Sequence, residues 1–169
     1  VLNLFAYTGG ATLAAAAAGA TVTHVDASKG MVTWAKENAV SSGLKDAPIR
    51  WLVDDCVKFV EREIRRGNTY DAIIMDPPSY GRGPKGEIWK IEDMIHPLIR
   101  LCAKILSEDA LFFLVNSYTT GLAPAVLTYM ISTELKSWNG HVDSQEIGLP
   151  VTNSGLVLPC GASGRWESR

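Results

Sequence analysis

The run Asp76-Pro77-Pro78-Ser79-Tyr80 directly follows the apolar stretch Ile73-Ile74-Met75. Two consecutive prolines fix φ and stiffen the turn. A short rigid scaffold then presents a carboxylate, a proline carbonyl and an aromatic ring together. Such a set can accept the N–H groups of a planar amine or base and stack on its face. The alternative is a purely structural turn, but loops at strand ends commonly carry function. Three other segments have chemistry-bearing residues in comparable places. Asn3-Leu4-Phe5-Ala6-Tyr7-Thr8-Gly9-Gly10 is a glycine turn leading into a helix; it is not a full G-x-G-x-x-G, so a phosphate cradle is poorly supported. Asp26 follows at close to the spacing, about 20 residues, at which an acid accepts both hydroxyls of a ribose; its other reading is a helix cap. Asp54-Asp55 can hold an adenine amino group, again with a helix cap as the alternative.

Arg82, Lys85 and Lys90 cluster after the Asp-Pro-Pro turn with Trp89 among them. They read either as a solvated loop or as phosphate contacts beside a stacking or packing indole. Arg165 and Trp166 are open in the same way. His24, His96 and His141 have no metal-ligand spacing, so no metal is expected. Cys56 and Cys102 read as small packing residues, while the role of Cys160 stays open.

To position these residues the chain must alternate strands and helices. Val1–Phe5, Thr21–Val25, Ile49–Val53, Asp71–Met75 and Leu111–Val115 are apolar or β-branched and predict strands. The Asp71–Met75 run is apolar throughout its later residues, as central parallel strands tend to be. Helices are predicted over the Ala-rich stretch Ala11–Gly19 and from about Ser28 to Ser42, with Met31, Trp34, Ala35 and Ala39 on one face. Further helices are expected around Val57, Val60 and Ile64, over residues 91–106, and around Leu122–Met130. Pro97 is expected to kink or restart the fourth of these, and Pro124 to stand at the start of the fifth. Pro77–Gly86 reads as a loop. His141–Leu149 and Gly155–Cys160 form a closing hairpin. Five strand–helix units and two more strands give an open, mostly parallel α/β sheet covered on both faces, a doubly wound Rossmann-like αβα arrangement.

With 169 residues the chain is expected to be one domain, residues 1–169. The 47% hydrophobic and 20% charged shares are those of a globular protein. A net charge of −2 excludes gripping nucleic acid by bulk charge alone, so phosphate contacts must come from a local patch or another domain. No apolar run reaches the roughly 18 residues of a membrane span. Three scattered Cys fit a reducing cytoplasm. Beginning at Val1 inside a strand-like run, the chain reads as a fragment of a longer protein.

Taken together, Val1–Gly10, Val25-Asp26, Val53-Asp54-Asp55 and Asp76–Tyr80, in this order and spacing, resemble the class I S-adenosylmethionine-dependent methyltransferases. More narrowly they resemble the bacterial large-subunit (23S) rRNA methyltransferases whose catalytic domain follows an N-terminal RNA-binding region. The resemblance runs from Val1 to about Arg165. It implies a seven-stranded sheet of order 3-2-1-4-5-7-6 with strand seven antiparallel. It also implies that Tyr7, Thr8 and Gly9 line the methionine end of the cofactor, Asp26 the ribose and Asp55 the adenine. Phe5, Ala27, Ser28, Asp54, Cys56 and Asp76 complete the implied cofactor set. Asp76, Pro77, Pro78 and Tyr80 would form the catalytic acceptor turn, with Arg82, Lys85, Trp89 and Asn116 meeting the RNA. Cytosine-C5 enzymes of this resemblance carry a nucleophilic Cys after strand five. Here Val115-Asn116-Ser117-Tyr118 stands in its place, so transfer to a nitrogen is expected, with C5 chemistry as the alternative.

Rival readings are a methyltransferase of protein or small molecules, a nicotinamide-dependent dehydrogenase on the same sheet, and a non-catalytic cofactor-binding module. The broken glycine fingerprint and the Asp-Pro-Pro turn argue against the last two. The expected cofactor is S-adenosylmethionine. Expected partners are RNA and, through the full-length protein, a second copy of the chain; no membrane is expected.

Overall fold

The computed structural model describes residues 1–119 and 121–169. Strands β1 (Leu2–Leu4), β2 (Val22–Asp26), β3 (Ile49–Val53) and β4 (Ala72–Met75) alternate with helices α1 (Gly10–Ala17), α2 (Lys29–Ser41) and α3 (Cys56–Arg66). A small hairpin, β5 (Tyr80–Arg82) and β6 (Ile88–Lys90), precedes α4 (Ile91–Ala103). Then come β7 (Phe112–Ser117), α5 (Pro124–Glu134), β8 (Gly140–Pro150) and β9 (Val157–Ser168). The main sheet has seven strands in the order β3-β2-β1-β4-β7-β9-β8. With the hairpin strands left out of the count, this is the order 3-2-1-4-5-7-6. β9 runs antiparallel to both its neighbours, and the pairs among β1, β2, β3, β4 and β7 are parallel.

Period-2 alternation assigns each strand residue to a layer. Leu2, Leu4, Val25, Ile73 and Met75 join one apolar cluster with Phe59 and Val60 of α3, Ile95, Leu98 and Ile99 of α4, and Leu127 and Ile131 of α5. α1 and α2 pack on β2 and β3 and take no part in that cluster, which places them on the opposite face. Asn3, between Leu2 and Leu4, meets them there: its Nδ2 donates to Thr12 Oγ1 at 2.9 Å, and the same hydroxyl lies 2.9 Å from His24 Nδ1.

Several expectations need correcting. The expected loop after Pro78 folds into the hairpin β5–β6, with Tyr80 opposite Lys90 and Arg82 opposite Ile88. Pro97 neither stops nor restarts its helix; α4 is continuous from Ile91 to Ala103. An interior proline costs about 3 kcal/mol. Ile91, Ile95, Leu98, Ile99 and Cys102 are buried on both sides of it, and each buried side chain of this size contributes roughly 1.5–3 kcal/mol. Packing wins. Trp34 leaves the predicted apolar face and is 50% exposed, because α2 turns Val32, Ala35 and Ala39 inward instead. The last strand extends beyond Cys160 to Ser168, and Trp166 is buried within it opposite Phe113. Arg165 pairs with Glu167 on the surface.

Candidate functional site

The chain leaves β1 for β2 and β3 on one side, and β4 lies on the other. Above that switch point, at the carboxyl ends of these strands, a cleft of about 390 Å³ opens, within the range of small-molecule sites. Its wall begins at a strained turn. Phe5 and Tyr7 have φ of 54° and 48°, a left-handed conformation that costs non-glycine residues of order 1–3 kcal/mol each. Three hydrogen bonds hold it: Phe5 N–H to Cys56 Sγ at 3.3 Å, Ala6 N–H to the Val25 carbonyl at 3.1 Å, and Tyr7 N–H to Asp26 Oδ2 at 2.9 Å. Gly9 closes the turn at φ 89°. A Cβ there would stand 3.1 Å from that of Ala35, so the turn that starts α1 needs both the freedom and the smallness of glycine.

Asp26 does not cap α2. Ser28 does, its hydroxyl accepting the Met31 N–H at 3.3 Å. The Asp26 carboxylate instead accepts Tyr7 N–H on one oxygen and Ser28 N–H, at 2.8 Å, on the other. Each oxygen keeps a further lone pair for the cleft that Asp26 lines with Ala27 and Ser28. Asp55 caps α3 by accepting Lys58 N–H at 2.9 Å, and it also lines the cleft. Asp54 does not line it; its carboxylate is paired with Arg62 and with the Asp55 N–H.

On the other side Asp76, Pro77, Pro78 and Ser79 complete the wall. Burial raises the Asp76 carboxyl above the usual carboxylate range. The Pro78 carbonyl accepts the Trp89 indole N–H at 2.7 Å. The Trp89 ring is buried and tilted on Phe5, with centroids 4.8 Å apart. Trp89 is thus a structural pillar of the cleft wall, contrary to a role in meeting RNA. Tyr80 is half exposed and lies outside the cleft, because strand pairing in β5 carries it away. The aromatic ring beside Asp76 is Tyr118, which follows β7 and lines the cleft. Partial burial and the Asp76 charge raise its phenol pKa, so it stays neutral.

Arg82 lines the cleft, whereas Lys85 sits at the hairpin tip and Asn116 inside β7, both away from it. Thr8 and Gly9 shape the turn without lining the cleft; the Thr8 carbonyl is taken by Asn38 Nδ2 at 2.9 Å. Val57, Gly81, Gly83 and Tyr118 are lining residues that the sequence reading did not single out. Tyr118 had a usable signal, its place at a strand's carboxyl end. Cys56 and Cys102 are buried, and burial drives both thiols far above the ordinary range, so neither is a nucleophile. Cys160 donates to the Ile147 carbonyl at 3.3 Å in a side groove shared with Tyr118, outside the main cleft.

A family model described as S-adenosylmethionine-dependent methyltransferase matches residues 1–139. Among curated relatives, the ribosomal RNA large subunit methyltransferase K/L of Shewanella frigidimarina is 36% identical over 107 residues, which is 60% of this chain and 15% of that protein. The ribosomal RNA large subunit methyltransferase K of Neisseria meningitidis serogroup B is 32% identical over 118 residues, 69% of this chain and 33% of that protein. A solved SAM-dependent methyltransferase from Agrobacterium tumefaciens superposes over 99% of this chain and 55% of its own, with a TM-score of 0.95 and 43% identity. A second solved methyltransferase, complexed with SAH, covers 98% of this chain and 44% of its own at 25% identity and a TM-score of 0.77.

Proposed function

The chain belongs to the S-adenosylmethionine-dependent methyltransferase family, and from that premise we propose that it transfers a methyl group to a nitrogen of a base in large-subunit rRNA. The carrying observation is the pairing within one cleft of a carboxylate with lone pairs to spare, Asp26, and a burial-raised carboxylate, Asp76, beside the neutral ring of Tyr118. The donor set fits the cofactor. Asp26 has lone pairs left for a ribose diol, Asp55 for an exocyclic amine, and Phe5, Cys56, Val57 and Pro77 offer apolar walls. When bound, S-adenosylmethionine supplies an electrophilic methyl on a sulfonium sulfur. Family membership removes the nicotinamide dehydrogenase from the rivals.

The residues of this chain then act by positioning. Asp76 accepts an N–H of the acceptor and turns the nitrogen lone pair toward the cofactor. Tyr118 stacks on the base in the place foreseen for Tyr80. The proton lost from nitrogen passes to Asp76 or to solvent as the N–C bond forms and the S–C bond breaks. Arg82 is the cleft cation available to a phosphate. Carbon-5 of a pyrimidine needs a thiolate to attack the ring first, and among the described residues the only thiol lining the cleft is the buried Cys56.

RNA as substrate is supported by the names of the curated relatives. The chain spans 15% to 33% of those relatives and 55% of the Agrobacterium protein, which supports reading residues 1–169 as the catalytic domain of a longer protein; an RNA-binding region and a cytoplasmic setting are part of the same proposal. The test is mass mapping of rRNA from cells lacking the gene, alongside transfer from labelled cofactor to the unmodified rRNA. A missing methyl on a base nitrogen, restored by the protein, is expected; an unchanged modification map overturns the rRNA assignment. RNA carrying 5-fluorocytidine is expected to trap no adduct. An adduct that vanishes in Cys160→Ser would transfer the reaction to carbon.

A further inference from the structure

The hairpin β5–β6 forms one wall of the cleft. It rises directly from the Asp76 turn, and its Gly81, Arg82 and Gly83 face the cleft opposite Asp55, Cys56 and Val57 at the start of α3. Its base is fastened by Trp89 to the Pro78 carbonyl and by Ile91 N–H to the Ser79 carbonyl at 3.1 Å. Its tip is a turn closed by Gly83 N–H to the Glu87 carbonyl at 2.8 Å and Gly86 N–H to the Gly83 carbonyl at 3.0 Å. From this tip Glu87 reaches across to α3, where its Oε1 meets Lys58 Nζ at 2.5 Å. Its Oε2 accepts Lys85 N–H at 2.9 Å and so stays tied to its own turn. Lys58 holds the Glu87 carboxyl down to about 2, and the carboxylate raises the Lys58 ammonium in return. Gly83 allows the two walls to come this close. A Cβ there would lie 2.3 Å from Glu87 Oε2 and 3.0 Å from Asp55 Oδ2.

We propose that Glu87 and Lys58 form a latch that holds the β5–β6 hairpin against α3 and thereby sets how tightly the cleft retains the adenosyl end of S-adenosylmethionine. Both are positioning residues, since neither lines the cleft. The proposal rests on the reading that Asp55 faces the adenine. It explains why a hairpin with three residues per strand, too short to be stable alone, is fastened at both ends. The latch is the only ion pair among the described residues that joins this hairpin to another element.

Calorimetric titration of S-adenosylmethionine and its demethylated product tests this on the wild type, Glu87→Gln, Lys58→Gln and the double variant. Each single change is expected to weaken binding roughly two- to five-fold, the range of an exposed ion pair passed on to affinity. The double variant should bind no worse than the weaker single one, because the two residues act as one contact. At 1 M salt, where the screening length is about 3 Å, the wild type should converge on the variants. Gly83→Ala should weaken binding in the same direction by displacing the Glu87 carboxylate. Thermal melts of the free proteins are expected to coincide. Unchanged affinity in the single variants, additive losses in the double, or losses that track melting temperature overturn the latch alone. A wild type that binds no cofactor overturns the adenosyl reading together with it.

Discussion

Two carboxylates decide the site at the scale of single residues, and their surroundings separate their tasks. Asp26 is an acceptor fixed by two backbone N–H groups. Losing hydrogen bonds to a charged acceptor costs roughly 1.5–3 kcal/mol, so Asp26→Ala is expected to weaken cofactor binding about ten- to a hundred-fold, as read by calorimetry. Unchanged affinity would leave Asp26 as a brace for Tyr7 and Ser28. Asp76 is the opposite case, a carboxylate that burial makes more basic. In the proposed role it accepts an N–H only when deprotonated, so the transfer rate should fall on acidification at a pH above the usual carboxylate range. Asp76→Ala should lower the rate at least ~100-fold and remove that inflection, while cofactor affinity stays nearly intact. A single-turnover pH profile checks both, and an inflection surviving in Asp76→Ala assigns the proton to another group.

Among elements, the buried contact of β1, β2 and α1 carries an acid weakness. His24 is fully buried beside Thr12 and tilted on Trp51, with Nε2 lacking a partner. Burial lowers its pKa from the model-peptide value of 6.5 to about 4. The neutral ring therefore favours the folded state. That stability is complete above pH 6.5 and drains away as pH falls toward 4, where unfolded chains bind the proton first. The loss is on the order of 3 kcal/mol. Urea unfolding midpoints across this interval should show it, and His24→Leu should flatten that part of the profile. The same element carries the glycine turn, so α1 is expected to loosen before the sheet does. Equal slopes in both proteins would place the acid sensitivity elsewhere.

For the molecule as a whole, charge governs what this domain can grip. A net charge of −2 and, among the described residues, a single cleft cation, Arg82, release few counterions. The chain by itself is expected to hold rRNA fragments no better than non-specific binders do, with Kd on the order of 10⁻⁶ M or weaker. On the proposed reading of a longer protein with an RNA-binding region, tight binding should belong to that longer form. Fluorescence titrations of both forms at low and moderate salt decide this; equal, tight and salt-sensitive binding by the two would assign the RNA platform to this domain. No helix among the described residues is long and apolar enough to cross a membrane.

The alternation of apolar runs and helical stripes, read along the chain, determined the succession of strands and helices and the strand ends where candidate residues sit, while the strand order followed from the family resemblance. Burial on a strand follows local periodicity, so Asp26, Asp55 and Asp76 were legible as strand-end residues, and the doubly wound fold puts such ends on one side of the sheet. Tertiary contact alone decided the rest. Pro97 stays inside a helix because side chains on both sides of it are buried, a sum that no local rule weighs. Trp89 belongs to the wall because its indole finds the Pro78 carbonyl, and Tyr118 replaces Tyr80 beside Asp76 because β5 pairs with β6. The hairpin itself was hidden: Pro84, Lys85 and Gly86 read as loop, and its three-residue strands carry too little alternation to register. Its stability comes from partners distant in sequence, Lys58 and Phe5, and local pattern cannot register a contact whose other half lies elsewhere in the chain.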